Sequence, residues 1–279
     1  MAGTDAVEER FEFGANWARF LRLLDADRIE QAQQSLAGML GVADLRGRRF
    51  LDIGSGSGLF SLAARRLGAS VYSFDYDPRS VACTSELRRR YFPDDPDWHV
   101  ERGSVLDEAY LRSLGVFDVV YSWGVLHHTG QMWRALELAT LPLKPSGILF
   151  ISIYNRLTPI RHRLVTLMKQ AYVNGIAPFR WGLVGSYAVY AGSMEMLSAA
   201  LRLKNPLVGF REYGTTSRGM SWWTDVIDWV GGFPYEAATP QEIFDFFRER
   251  GYILTRLNTQ RGHGCNEFVF VRARLPNEP

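Results

Sequence analysis

The chain has little cysteine, little net charge and no long uncharged apolar stretch. Its 279 residues include 2 cysteines, Cys83 and Cys265, too few for a disulfide framework, and no metal-ligand spacing surrounds either one. We therefore expect a protein of the reducing cytoplasm with no metal site. The acidic start of the chain lacks the apolar core of a signal peptide, and no apolar run reaches the ~20 residues that a membrane helix needs. Stable membrane insertion is therefore not expected.

The charges are almost balanced. There are 32 Lys and Arg residues against 30 Asp and Glu, a formal net charge of +2, which gives no general attraction to nucleic acid. The short basic runs at 46–49 and 88–90 are typical of solvated helix ends and loops. Apolar residues make up 47% of the chain, which is enough for a globular core, and the length favours one domain with an elaboration. Composition thus predicts a globular protein whose partner is not nucleic acid.

The most informative stretch is a glycine-rich loop between an apolar strand and an amphipathic helix. Residues 50–53 are typical of a buried parallel strand, Gly54, Gly56 and Gly58 turn the chain, and Leu59 begins a helical pattern. Glycine permits left-handed backbone angles and lets a ligand approach without a Cβ in the way. Because the loop opens a helix, free N–H groups point towards the site. The stretch therefore predicts a binding loop.

The spacing of the glycines indicates which ligand the loop suits. A dinucleotide-binding loop reads G-x-G-x-x-G, which would place a third glycine at 59 or 61, where the chain has leucine and serine. The chain has G-x-G-x-G behind Asp52 instead, which disfavours a nicotinamide oxidoreductase. This pattern resembles the first motif of class I S-adenosylmethionine (SAM)-dependent methyltransferases, in which the Asp and the loop hold the amino acid end of SAM. The structural alternative is a plain tight turn.

The next strand strengthens the resemblance. Residues 70–74 predict a strand that ends at Asp75, about 20 positions past the loop, where a carboxylate can accept hydrogen bonds from both ribose hydroxyls of an adenosine. Asp77 and Pro78 serve better as a helix cap and first helical residue. We therefore expect the Asp75 carboxylate to be free for the ligand.

Two later segments resemble the third and fourth motifs of the family. Residues 103–107 follow the third strand, where the resemblance places the adenine ring, and residues 117–122 form the fourth strand. No Asp/Asn-Pro-Pro-Tyr motif follows that strand, which argues against the enzymes that methylate amino groups of bases and glutamine. The resemblance implies SAM as cofactor, S-adenosylhomocysteine (SAH) as product, and these cofactor-binding residues: Asp52, Gly54, Ser55, Gly56, Gly58, Asp75, Tyr76, Ser104, Val105, Ser122 and Trp123.

The resemblance also implies the fold class, α/β with a doubly wound seven-stranded sheet. Strand six should run parallel to the others and strand seven should return antiparallel. We expect an N-terminal helical cap in residues 1–44, the Rossmann-like SAM-binding core in 45–155, and a mostly helical insertion after strand five in 156–234. Residues 235–279 then supply the last helix and the final strand pair. The insertion is expected to be an acceptor lid, an interface of a homo-oligomer, or both.

The expected reaction is transfer of the SAM methyl group to a small molecule, most simply to a phenolic, quinol or sugar-like hydroxyl. N- or C-methylation and a non-catalytic SAM-binding protein are the alternatives. A base is needed only if the acceptor must lose a proton first, and His128, His263 and Tyr154 are its candidates. For His128, a structural hydrogen bond is the competing role. The expected acceptor-binding residues are Asn155, Arg218, Trp222, Trp223 and Asn266, with Asp225 or Asp228 orienting a polar group.

Overall fold

The computed structural model describes residues 11, 13–202, 205, 221–260, 262 and 264–272. Its centre is a seven-stranded sheet with the strand order β3-β2-β1-β4-β5-β7-β6. The strands are β1 (Arg49–Ile53), β2 (Ser70–Asp75), β3 (Trp98–Arg102), β4 (Phe117–Trp123), β5 (Leu143–Tyr154), β6 (Tyr252–Asn258) and β7 (Cys265–Arg272).

The direction of the strands places the binding edge of the sheet. β1 to β5 pair in parallel, whereas β7 is antiparallel to both β5 and β6, so β6 runs with the first five strands. The predicted doubly wound sheet with a reversed last strand is confirmed. Ligands of such sheets bind beyond the carboxyl ends of the strands, and the turn between β6 and β7 lies at that same edge.

Helices cover both faces of the sheet. In chain order they are α1 (Phe13–Phe20), α2 (Ala26–Leu40), α3 (Leu59–Arg66), α4 (Pro78–Tyr91), α5 (Glu108–Ser113), α6 (Met132–Leu138), α7 (Pro159–Asn174), α8 (Ala177–Leu201), α9 (Trp222–Gly231) and α10 (Pro240–Arg248). A short 3-10 helix spans Leu126–His128. Phe50 packs with α2, α3 and α4, while its neighbour Leu51 packs with α5, α6 and α10. This alternation buries both faces of β1.

Local caps position the helices next to the binding edge. Asp77 is the N-cap of α4 and its side chain accepts from Arg79 N, with Pro78 as the first helical residue, as predicted. Thr239 and Glu242 form a capping box at the start of α10, in keeping with the Thr-x-x-Glu spacing. Gly41 ends α2 in the left-handed conformation with φ 68°.

Three elements differ from what their local sequence suggests. The Lys-Pro-Ser-Gly sequence at 144–147 is typical of a turn, but these residues form a bulge inside β5, since Leu143 pairs with Phe117 and Ile148 with Val119. Glycines punctuate the insertion, but α8 is continuous because Gly182 and Gly185 keep helical backbone angles. Apolar residues recur at helical spacing from residue 11 to 24, but α1 is shorter.

The described part of the chain lacks two kinds of feature. No helix among the described residues is both long and apolar enough to cross a membrane. No group of three or more His, Cys, Asp or Glu side chains among them is arranged to hold a metal ion.

Candidate functional site

A cavity of about 1230 Å³ lies at the carboxyl end of the sheet. The loops after β1, β2, β3 and β4 form one end of it, α9 and the end of β5 form the other, and α1 contributes to both through Trp17 and Phe13. The two ends differ in chemistry. The first combines the glycine-loop backbone and carboxylates with aromatic side chains, and the second is lined mainly by aromatic side chains together with Asp225 and Asp228.

The glycine loop has little room for side chains. Gly54 and Gly56 have φ angles of 76° and 56°, in the left-handed region. A Cβ on Gly54 would lie 2.5 Å from a methyl carbon of Val125, and one on Gly56 would lie 2.9 Å from Nε1 of Trp17. Glycine is therefore required here for both backbone angle and space. The loop backbone is thus exposed to the cavity next to the indole of Trp17.

Asp75 lies at the end of β2 and faces the cavity. Its Oδ2 accepts from Gly56 N at 3.0 Å and its Oδ1 accepts from Asp77 N at 2.9 Å. The helix cap is Asp77, as expected, but the Asp75 carboxylate also supports the glycine loop, which turns back towards it. Burial raises the pKa of Asp75 to about 6, and the hydrogen bonds from Gly56 and Asp77 oppose that rise.

Asp52 lines the same end of the cavity from the end of β1 and is almost fully buried. Its Oδ2 accepts from the Ser61 hydroxyl at 2.5 Å, and the Ser61 and Ser73 hydroxyls are 2.8 Å apart. Trp98 Nε1 donates to Ser73 Oγ at 3.0 Å. Burial raises the pKa of Asp52 to about 7. The chain of hydrogen bonds fixes Asp52 against α3, and the bond from Ser61 opposes the rise in its pKa.

The remaining predicted cofactor residues divide into two groups. The cavity is lined by Ser55, Tyr76, Ser104, Val105 and Trp123. Two others do not line it: Gly58 is the N-cap of α3, and the buried Ser122 hydroxyl donates to Ile53 O at 3.0 Å. The structure therefore assigns Gly58 and Ser122 to loop closure and sheet packing.

At the far end of the cavity, His128 and Tyr154 lie together with Asp228. The His128 Nδ1 is 2.6 Å from Pro234 O, so it donates and the other ring nitrogen, Nε2, is unprotonated in the neutral ring. Burial and then the charge of Lys169 lower the pKa of His128 to about 3. Burial raises the pKa of Tyr154 well above its usual value. Both side chains are therefore held in their neutral forms.

Lys169 is a fully buried cation behind this end of the cavity. Its Nζ donates to Trp229 O and lies 5.5, 5.2 and 5.0 Å from the ring centres of Tyr154, Trp229 and Tyr235. Burial lowers its pKa to about 7, while the charge of Asp228 opposes that shift. The sequence analysis missed Lys169. The sequence could have indicated it, because Lys169 lies four residues from both Val165 and Val173, which places it on the apolar face of α7.

Comparison with known families identifies this arrangement. A family model described as a methyltransferase domain matches residues 24–181, more than half of the chain. The chain belongs to this methyltransferase domain family. The resemblance drawn from the glycine loop and Asp75 is thereby confirmed.

Curated relatives match the methyltransferase domain over part of their length. A ubiquinone biosynthesis O-methyltransferase of Xanthomonas oryzae pv. oryzae is 36% identical over 124 residues, which is 44% of this chain and 50% of the relative. A tRNA U34 carboxymethyltransferase of Pseudomonas savastanoi pv. phaseolicola is 39% identical over 87 residues, 30% of this chain and 26% of the relative. The chain thus spans at most about half the length of these relatives.

A solved structure shows the fold of the methyltransferase domain over most of the chain. The magnesium protoporphyrin IX methyltransferase of Synechocystis PCC 6803, crystallised with bound SAH, aligns with a TM-score of 0.54 and 14% identity. The alignment covers 93% of this chain and 94% of that one. At this identity the likeness supports the Rossmann-like fold alone.

The residues predicted for acceptor binding lie in three places. Asn155 and the buried Asn266 hydrogen-bond to each other at 3.2 Å beside the β6–β7 turn and do not line the cavity. Trp222 and Trp223 also lie away from the cavity, and Trp223 is 44% exposed. Arg218 and the catalytic candidate His263 fall outside the described residues. The insertion instead presents Asp225, Asp228 and Trp229 to the cavity.

Proposed function

We propose that this methyltransferase domain is a SAM-dependent enzyme that methylates a hydroxyl group of a small molecule. The observation that carries the proposal is the cavity that joins a glycine loop and Asp75 at one end to aromatic side chains and a carboxylate at the other. Its volume of about 1230 Å³ exceeds the ~300–1000 Å³ of ordinary single-ligand pockets. There is therefore room for a cofactor and an acceptor together.

The residues at the glycine-loop end fit SAM. The Asp75 carboxylate accepts backbone hydrogen bonds from Gly56 and Asp77, and also from Tyr76. Since a carboxylate has about four acceptor sites, it can still accept from a ribose hydroxyl. Ser104 and Val105 line the neighbouring wall, where the adenine would lie.

Little chemistry is then required of the protein. SAM brings a methyl group that its sulfonium already makes electrophilic, and the chain has to align the acceptor oxygen with it and exclude water. Phe13, Tyr154 and Trp229 offer apolar walls for an aromatic acceptor. The name of the Xanthomonas relative, a ubiquinone biosynthesis O-methyltransferase, supports a hydroxyl acceptor. We propose that the described part of the insertion is the acceptor lid. Its outer side would then be free to form a homo-oligomer interface.

Two measurements test the proposal. Calorimetric titration should detect binding of SAM and SAH and no binding of NAD. Incubation with labelled SAM and a panel of catechol, hydroquinone, 4-nitrophenol, methyl glucoside, benzylamine and bulk tRNA should label a phenolic or sugar hydroxyl. Labelling of benzylamine or tRNA alone would contradict a hydroxyl acceptor. SAM binding without turnover of any panel member would favour the non-catalytic alternative.

A further inference from the structure

We propose that Asp228 on α9 accepts the proton that the acceptor hydroxyl loses during methyl transfer, with Lys169 as its positioning residue. This inference rests on the proposed function. Asp228 lines the acceptor end of the cavity, and its Oδ1 accepts from the buried Asn16 Nδ2 at 2.8 Å. The same Asn16 amide nitrogen donates to Thr224 O at 2.9 Å. Because one buried amide nitrogen bridges the Thr224 carbonyl and Asp228 Oδ1, it orients the Asp228 carboxylate at the cavity wall.

The other two described candidates are poorer bases. Tyr154 retains its proton, since burial raises its pKa well above the usual value. His128 has an unprotonated ring nitrogen, but accepting a proton there would create a buried imidazolium near the Lys169 ammonium. Protonation of a carboxylate has the opposite effect, because it removes a buried charge. Burial raises the pKa of Asp228 well above its ordinary value, so the protonated product is favoured.

The charge of Lys169 opposes the rise in the pKa of Asp228. Its charge favours the ionised form of Asp228, and its ammonium is itself held among Tyr154, Trp229 and Tyr235. The other titratable groups around Asp228 are Asp225 on the same helix, Tyr172 on α7, Tyr154 at the end of β5 and His128 after β4. Lys169 is thus the described cation whose charge keeps Asp228 able to accept a proton.

The step balances without a further reactant. The acceptor oxygen forms a bond to the methyl carbon as the bond from that carbon to sulfur breaks, and its electron pair stays on sulfur. The hydroxyl proton moves to the Asp228 carboxylate and then to solvent. The products are the methyl ether, SAH and one proton.

The test compares Asp228→Asn with the wild type on hydroxyl members of the panel that the wild type methylates. The variant retains an oxygen for Asn16, so SAH affinity and thermal unfolding should stay close to wild type. General base catalysis typically contributes about 100- to 10000-fold, so kcat/KM for catechol or hydroquinone should fall at least about 100-fold. The loss should be smaller for 4-nitrophenol, which ionises more readily. Asp245→Asn, on the surface of α10, is the matched control and should behave as wild type.

The pH profile separates a proton acceptor from a merely structural residue. In the wild type, kcat/KM should rise with pH as Asp228 ionises, and Asp228→Asn should lack this rise. Asp228→Glu should restore it in part, and Lys169→Met should move it to higher pH. If Asp228→Asn lost kcat/KM equally for all hydroxyl acceptors and kept the rise with pH, Asp228 would not be the proton acceptor. The same conclusion would follow if kcat/KM fell in Asp225→Asn but not in Asp228→Asn. If the wild type labels benzylamine or tRNA and no hydroxyl, the proposed function itself fails, which is a distinguishable result.

Discussion

Replacing Asp75 with asparagine should weaken SAM binding by an amount that the geometry of the carboxylate sets. In the wild type, Gly56 N donates to Oδ2 and Asp77 N donates to Oδ1, and we expect the same carboxylate to accept from a ribose hydroxyl. Asparagine has a single oxygen. One backbone N–H would then face an NH₂ group, and one hydroxyl would lose its acceptor.

The expected loss is about 1.5–3 kcal/mol, the usual range for hydrogen bonds to a charged group. This corresponds to a roughly 10- to 150-fold increase in Kd. The pH dependence gives a second signature. Because burial raises the pKa of Asp75 to about 6, SAM affinity should fall as pH decreases through that value, when the carboxyl gains a proton. The part of this dependence that belongs to Asp75 should be missing from the variant.

Calorimetric titration of SAM between pH 5 and pH 8 measures both effects. The matched control is Asp107→Asn, an N-cap after β3 whose side chain accepts from Tyr110 N, because asparagine serves equally well as a cap. Its SAM affinity should equal that of the wild type. If Asp75→Asn bound SAM as tightly as the wild type at pH 8, the carboxylate would serve only to hold the glycine loop, and our assignment of it to the ribose would be refuted.

Three further variants probe the site. Asp52→Asn should raise the free energy of unfolding by at most about 4 kcal/mol at pH 8 and by much less at pH 4. The folded state holds the proton of Asp52 up to about pH 7, so unfolding free energy is lost as pH rises from the ordinary pKa of 3.8. Urea unfolding of the wild type and the variant at several pH values measures the difference in stability. If the wild type became more stable relative to the variant as pH rises, the prediction would be wrong. Gly56→Ala should lower SAM affinity and reduce the free energy of unfolding by about 1–3 kcal/mol, because a Cβ at this left-handed position would press against Trp17. Thermal unfolding identical to that of the wild type would contradict the close contact between residue 56 and Trp17. Asn16→Ala should lower the free energy of unfolding by about 1–3 kcal/mol and raise the pKa of Asp228. NMR titration of labelled aspartate measures that pKa. An Asp228 titration identical to that of the wild type would contradict the hydrogen bond from Asn16.

The sheet and the cofactor end could be predicted from sequence because their signals are local. A run of apolar residues, a glycine loop and a strand-end carboxylate are read within about 25 positions, and the chain direction then fixes where they meet. The capping box at Thr239 and the helix stop at Gly41 are equally local. What the spacing did not reveal is that Asp75 would accept from the loop it follows, since this depends on the path of the backbone through Gly56.

The acceptor end could not be predicted in the same way because its contacts span the chain. Asn16 reaches Asp228 across 212 positions, and Lys169 reaches Trp229 across 60. Tryptophans at 222 and 223 looked suitable by composition, but the residues of α9 that line the cavity are Asp225, Asp228 and Trp229. Helical spacing alone would not have excluded Trp222, which lies three positions before Asp225 and seven before Trp229.

Helix α1 has a consequence for how the protein folds. Its partners come much later in the chain: Gly14 N donates to Asp77 Oδ2, 63 positions away, and Asn16 binds α9 more than 200 positions away. Closing such long loops costs entropy before any contact compensates for it, so we expect α1 to dock last although it precedes the sheet in the chain. Until then the glycine loop lacks Trp17 and Asp228 lacks its amide donor. Competence to bind both ligands should therefore appear in the final phase of refolding, after the sheet has formed.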